Sequence, residues 1–365
     1  MPALTSSQLA RITKATYKRV EKDREMMSAL DRKNRPFWAW LQKIMKGTSF
    51  EGGALVYPVK IDGGVTGTTW QGDDELEASE PDFQLNLEYG YFNYNVAVQI
   101  QHDKLKRLGF TVIPNEDRSG DGKWAMSKDE KFKIINYVME LVEVQSDAYD
   151  KDLDQKLHRS GAASPTDPVG LFGILTTDPT TGNVGTLSRA TYTQLRHTYD
   201  GGLTPAAAGD FRSKFTTALR SANLYSQGNG VQGTVDVFFA GQAFIDAYTL
   251  WGELNQYQVQ RPLNEPLKLA DWGIPDTTLH FEGIPIVHNP TFDTLDNVDT
   301  YSPTATKRCV GLNSKTWKMR NQDGLHKKAT SPRDPIKQRI TRMDIDGTYS
   351  IGNAAPASNL LIATD

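Results

Sequence analysis

The stretch from Ser127 to Gly161 constrains this chain more than any other, because it reads as one long helix with no proline and no internal glycine. Ser127 with Glu130 three residues on forms a capping box, and Gly161 follows a last turn holding Lys156, His158 and Arg159. Apolar positions at Phe132, Ile135, Met139, Val142, Tyr149, Leu153 and Leu157 recur at helical spacing, and Ile134, Val138, Leu141 and Val144 add a second stripe in the first half. That half is expected to pack on two sides. The second half, with Asp147, Asp150, Lys151, Asp152 and Asp154, is expected to keep one face in water. At 1.5 Å per residue such a helix is about 50 Å long, more than one ordinary core covers. It reads as a strut across an extended molecule.

The rest of the 365-residue chain is strand and turn for long stretches, and that length fits two domains or one with large excursions. A formal net charge of −3 gives no global basic field to attract nucleic acid or a membrane surface. No run of about 18 apolar residues is present, and the N-terminus is a charged helical pattern rather than the apolar core of a signal peptide. Cys309 is the single cysteine, so an internal disulfide is excluded, and it reads as a buried, inert thiol.

Residues 1–50 form an N-terminal arm. Leu9, Ile12, Val20, Met27 and Leu30 lie along one helical side, a break follows at Asn34-Arg35-Pro36, and Pro36 opens a short helix carrying Phe37, Trp38 and Trp40. Eleven Lys/Arg against four Asp/Glu make the arm basic. Arg32, Lys33, Arg35, Phe37, Trp38 and Trp40 are candidate contacts to a neighbouring subunit; the alternative is a first helix packed on its own domain. Residues 51–103 read as an extended β-hairpin loop whose stems are Leu55–Val59 and Phe83–Leu87. Its glycine-rich tip bears Trp70, Asp73, Asp74, Glu75 and Glu77, and residues 51–100 hold nine acidic side chains against the single Lys60. A two-stranded excursion is marginal alone in water, so this hairpin is expected to rest on another subunit, its acidic tip answering the basic arm.

A helical turn at Gln101–Leu108 leads to a loop in which Asp117, Ser119, Asp121 and Gly122 mimic part of a calcium loop, but Lys128 stands where the bidentate Glu belongs. Residues 165–333 alternate short helices with strands: helical patterns at Ser188–Tyr199, Pro205–Asn223 and Gln242–Leu250, a strand at Val235–Phe239, a hairpin from Leu279 to His288 turning at Glu282-Gly283, and a pair of strands at Arg308–Leu312 and Thr316–Met319. The tail returns to strand pattern at Ile336–Ile345 and Thr348–Ile351, expected to pair beneath the strut. The fold class is α+β.

Catalysis is not advertised. Gly228, Gly230 and Gly233 satisfy G-x-G-x-x-G but precede a strand, whereas a dinucleotide site needs the motif after a strand and opening a helix. There is no Walker loop, nucleophile elbow or Cys/His metal spacing, and His280 and His288, which could approach each other across their hairpin, lack a third ligand. No catalytic, cofactor-binding or metal residue is therefore assigned.

The order of parts, together with the stretches Val184–Arg196, Phe281–His288 before Asn289-Pro290, and Tyr349–Asn353, resembles the major capsid proteins of tailed bacteriophages, the Hong Kong 97-like fold. The resemblance implies a peripheral domain (104–164 and 334–365) with spine helix 128–160, an axial domain (165–333), and an arm and hairpin that overlap neighbouring subunits. It implies a structural protein, not an enzyme, that self-assembles through hexamers and pentamers into an icosahedral shell around double-stranded DNA. No sequence-specific DNA binding, membrane or cofactor is implied. Its place is the virion capsid, assembled in the host bacterial cytoplasm; its partners are itself, a portal, and a separate scaffolding or decoration protein. The arm begins at Met1 and is short, which favours a separate scaffold or none. Some members cross-link a hairpin lysine to a C-terminal asparagine with help from a glutamate; here Lys60 lies on the stem, Asn353 is available, and no Glu follows Glu282, so shell strength is expected to be non-covalent. An encapsulin-type cargo shell and an unrelated α+β enzyme or binding module are the rival readings; the basic arm and the hairpin argue against the cargo shell.

Overall fold

The computed structural model describes residues 3–5, 9–19, 35–45, 49–50, 54–60, 84–109, 111–113, 128–161, 166–205, 210–228, 231–254, 279–322, 325–330, 332 and 340–365. The hairpin tip, Arg32, Lys33 and the calcium-like loop at 117–127 lie outside them.

The chain opens with β1 (Ala3–Thr5), α1 (residues 9–19), α2 (Pro36–Met45) and β2 (Ser49–Phe50). Next come β3 (Ala54–Lys60) and β4 (Gln84–Gly90), antiparallel from Ala54↔Gly90 to Lys60↔Gln84, which are the expected hairpin stems. β5 (Phe92–Gln101), α3 (His102–Arg107) and β6 (Thr111–Ile113) lead to α4 (Lys128–His158), whose 31 residues span about 47 Å. Gly161 follows with φ of 77°, a conformation open to glycine and costly for other residues, and there the chain turns back.

The second half holds α5 (Leu171–Ile174), β7 (Asn183–Val184), β8 (Leu187–Ser188), β9 (Thr198–Leu203), α6 (Asp210–Gly228), β10 (Val237–Ala240), α7 (Gln242–Leu254), β11 (His280–Phe281) and β12 (Ile284–His288). It closes with α8 (Pro290–Leu295), β13 (Arg308–Leu312), β14 (Trp317–Gln322), β15 (Lys328–Ala329), β16 (Ile340–Asn353) and β17 (Leu360–Thr364). Between β11 and β12, Glu282 (φ 49°) and Gly283 (φ 82°) supply the two positive angles of a type I′ turn. The expected helix at Ser188–Tyr199 is absent. Its apolar residues serve β8, a single 3-10 turn at Thr193–Leu195 and the start of β9, because the buried Arg189 donates to the carbonyls of Gly173 (3.0 Å) and Ile174 (2.5 Å) and holds the segment as a loop against α5.

Two sheets organise the molecule. In one, β16 pairs with β5 from Ile340↔Gln101 to Tyr349↔Phe92 and then, from Tyr349 to Asn353, with β14. α4 lies across this sheet, with the Tyr94 and Tyr149 rings 4.7 Å apart. In the other, six strands run in the order β11-β12-β10-β13-β17-β9. Both of its faces are covered: Val237, Phe239, Val310, Leu312 and Leu361 join the core beneath α2, α4 and α8, while Phe238, Ala240, Cys309, Leu360 and Ile362 face α6 and α7. Two covered faces explain why β10 and most of β13 and β17 read as apolar without alternation. They also bury Cys309, with its thiol pKa pushed up by burial.

Three expectations change. The tail strands expected at Ile336–Ile345 and Thr348–Ile351 merge into the one strand β16 (Ile340–Asn353), and β17, which sequence reading did not assign, inserts between β13 and β9 in the six-stranded sheet. β13 and β14 do not pair with each other but belong to different sheets. The first half of α4 packs on one side only: Ile134, Val138 and Val142 are buried, while Phe132 and Val144 are 63% and 58% exposed.

Candidate functional site

The second half of α4 is where the structure concentrates polar chemistry. Asp150 and Asp154, expected in water, are buried. Asp150 meets the Lys327 ammonium and lies 4.0 Å from the Arg35 guanidinium, which also grips Asp147. A buried carboxylate is tolerated because cations from two other segments reach it. Beside this cluster Tyr94 donates to Asp152 (2.6 Å), the Tyr149 and Tyr349 hydroxyls are 3.0 Å apart, and His326 Nδ1 is 3.2 Å from the Tyr349 hydroxyl. Burial pushes the Tyr349 phenol up to about 12 and the His326 imidazole down to about 4, so both are neutral near pH 7. The network ties α1, through Tyr17 donating to the Lys327 carbonyl (2.8 Å), and α2, through Arg35, to the strut.

One turn later, Asp154, His158, Asn289 and Thr291 form a wholly buried cluster between α4 and α8. Thr291 donates to Asp154 Oδ2 (2.5 Å), His158 Nδ1 donates to the Asp154 carbonyl (2.6 Å), and Asn289 Nδ2 donates to His158 Nε2 (2.8 Å). That tautomer leaves the ring neutral, in line with burial lowering the His158 pKa and raising that of Asp154. Residue types that could serve a hydrolase are present, but the hydroxyl bonds the carboxylate rather than the imidazole, and no member reaches solvent. The cluster is an internal fastener: Asn289 also caps α8 and bonds the Ala240 carbonyl through its N–H.

Elsewhere the chemistry is equally structural. His197 is buried, and His280 and His288 do not face each other: His280 sits opposite Pro285, and His288 bonds Asp293 (2.7 Å). Burial raises the Asp236 carboxyl to about 6, opposed by hydrogen bonds from Ser314. Among the described residues no group of three or more His, Cys, Asp or Glu is placed to hold a metal ion, and no helix is long and apolar enough to cross a membrane. Gly228 ends α6 and Gly233 precedes β10, an order unlike that of a dinucleotide loop. An open trough of about 590 Å³ at the hairpin root is lined by Tyr89, Tyr91, Asn93, Asp167, Val169 and Thr186, with no convergent catalytic set.

The candidate contact residues separate into two groups. Trp70, Asp73, Asp74, Glu75, Glu77, Arg32 and Lys33 lie outside the described residues. Phe37, Trp38 and Trp40 are buried in this chain's own interior: Phe37 stands 4.6 Å from the His158 ring and 5.6 Å from Phe239, Trp40 5.8 Å from Phe239, and Trp38 6.4 Å from Tyr349. Arg35 pairs within the chain as well. These four are therefore corrected from neighbour contacts to contacts within the chain: Phe37 and Trp40 wedge against the six-stranded sheet, Trp38 rests on β16, and Arg35 holds α4. Asn353 is also buried, its Oδ1 accepting from the Ala355 N–H (2.8 Å), so it is not available as a cross-link partner. Among the described residues, exposed apolar side chains on the helices of the second half are Leu224 on α6 and Leu250 and Leu254 on α7, which sequence reading passed over because their periodicity matches that of the buried positions beside them.

No protein-family model matches the sequence, and no curated protein does. Among solved structures, the capsid asymmetric unit of cyanophage A-1(L) superposes with a TM-score of 0.57 at 15% identity, over 90% of this chain and 92% of that one. The capsid of the Myoviridae phage XM1 gives 0.52 at 10% identity, over 90% and 92%. The fold is that of phage capsid subunits, the Hong Kong 97-like fold. Identity this low carries the architecture and no individual contact.

Proposed function

We propose that this chain is a major capsid protein that self-assembles through hexamers and pentamers into an icosahedral shell enclosing double-stranded DNA. The single observation that carries the proposal is a phage-capsid fold over 90% of the chain. Its accompanying features fit: polar side chains that fasten elements together rather than converge on a substrate, and apolar residues left uncovered on α4, α6 and α7. A net charge of −3 suits a container wall, since a strongly basic lining would hold the genome by counterion release while it is being packed. Within the shell, the acidic hairpin tip of one subunit (Asp73, Asp74, Glu75, Glu77, with Trp70) meets the basic arm of the next near Arg32 and Lys33. A portal and a scaffolding or decoration protein complete the assembly in the host cytoplasm.

Purified protein is expected to form capsomers or shells tens of nanometres across in negative-stain images, with matching light scattering. A monodisperse compact monomer at every concentration overturns the proposal. Changing Asp73, Asp74 and Glu75 together to lysine is expected to leave the circular dichroism of the subunit unchanged and to reduce shell yield at least about tenfold, because like charges then face each other. Normal shells from that variant remove the hairpin tip from the interface.

A further inference from the structure

α6 and α7 lie side by side over one face of the six-stranded sheet, with Phe211 5.7 Å from Phe244 and 5.8 Å from Trp251. Their inner faces are covered. Among the described residues their outer faces are exposed, and the two differ in charge. α6 carries Arg212, Lys214 and Arg220 against the single acid Asp210, and its outer face presents Arg220 one turn before Leu224, which is 66% exposed. α7 carries Asp246 and Glu253 and no basic residue. Its outer face presents Leu250 and Leu254, one turn apart and 46% and 60% exposed, with both acids alongside. Each face thus sets exposed leucine beside charge, mainly basic on α6 and acidic on α7, so the two are complementary to each other.

We propose that the α6 face of one copy docks on the α7 face of the next, Leu224 against Leu250 and Leu254, with Arg220 answering Glu253 and Asp246. Charge selects this pairing. A two-fold contact of α7 with itself would set Asp246 and Glu253 against their own copies, and α6 with itself would do the same with its arginines. When each copy gives its α6 face to one neighbour and its α7 face to another, the contact is head-to-tail, and it closes into a ring where the rotation between copies closes. This inference rests on the capsid proposal and names the surfaces that would join subunits within one capsomer.

Charge exchange in the full-length protein tests it, read by sedimentation velocity and negative-stain imaging, with circular dichroism confirming the fold of each variant. Arg220→Glu and Glu253→Arg are each expected to raise the concentration needed for assembly by about tenfold or more, and the two together are expected to bring it back to within about threefold of the native value. Wild-type shells with single variants that assemble normally, or a double variant no better than the singles, overturn the inference and leave the capsid proposal standing. A wild-type chain that never assembles overturns the capsid proposal itself. Independently, mixing the Leu224→Cys and Leu254→Cys proteins under mild oxidation is expected to give chiefly the mixed disulfide. Predominant Leu224→Cys or Leu254→Cys homodimers overturn the head-to-tail geometry.

Discussion

Replacing Phe37 with Ala is expected to lower the unfolding free energy of the isolated subunit by about 3–5 kcal/mol, read as a shift in the urea midpoint at unchanged m-value. Phe37 is fully buried and touches three elements at once: the His158 ring on α4 at 4.6 Å, Trp40 on its own helix at 5.8 Å and Phe239 on β10 at 5.6 Å. Truncating it removes the transfer free energy of the ring and leaves a cavity where helix and sheet meet, and neither regular element can collapse to fill it. Phe37→Leu keeps most of the volume and is expected to cost about 1.5 kcal/mol or less. If the aromatics of α2 instead docked on a neighbouring subunit, Phe37→Ala would leave the urea midpoint alone and impair only assembly. The sign of that comparison decides between a wedge inside the tile and an anchor between tiles.

How legible the sequence was followed from how local each determinant is. The strut could be read from end to end because its period, the absence of helix breakers and Gly161 all act within a few residues; the structure ends α4 at His158, within the last turn expected. The hairpin stems and the Glu282-Gly283 turn were legible for the same reason, since alternation and positive-φ residues are local signals. What failed depended on partners far along the chain. Asp150 and Asp154 looked like solvent residues until Lys327, Arg35, His158 and Thr291 arrived from elsewhere. Arg189 makes a loop of an amphipathic pattern because carbonyls some fifteen residues earlier need its guanidinium. Phe132 and Val144 complete stripes that a buried helix would need, yet this chain leaves them exposed. The surfaces of assembly are the least legible part, because a residue meant for a neighbour and a residue meant for the core obey the same periodicity.

Acid is expected to weaken the subunit through its buried histidines, and His197 is one whose contribution can be isolated. Burial drives its pKa down to about 3; the Thr176 carbonyl, accepting from Nε2 at 2.6 Å, works against the shift, and the Arg189 charge adds to it. In the unfolded chain the same ring titrates near 6.5. Below about 6.5 the unfolded state therefore holds a proton that the folded state refuses, so stability falls as pH falls, until the folded pKa is reached. From pH 7 to pH 4 this amounts to about 3 kcal/mol from one residue. His326, held down to about 4, adds loss of the same sign. Asp236 opposes it: a carboxyl raised to about 6 loses stability as pH rises from its unfolded value near 3.8, so its contribution recovers on acidification over the same window. Other buried groups, His158 and Asp154 among them, titrate differently in the folded chain as well, so only a difference isolates the histidine. His197→Gln keeps a donor for the Thr176 carbonyl and cannot be charged, so its urea midpoint is expected to fall less between pH 7 and pH 4 than that of the wild type, by a margin worth about 3 kcal/mol. Parallel curves for the two proteins would mean that His197 is protonated in the folded state, and that the neutral interior assigned to this part of the fold is wrong.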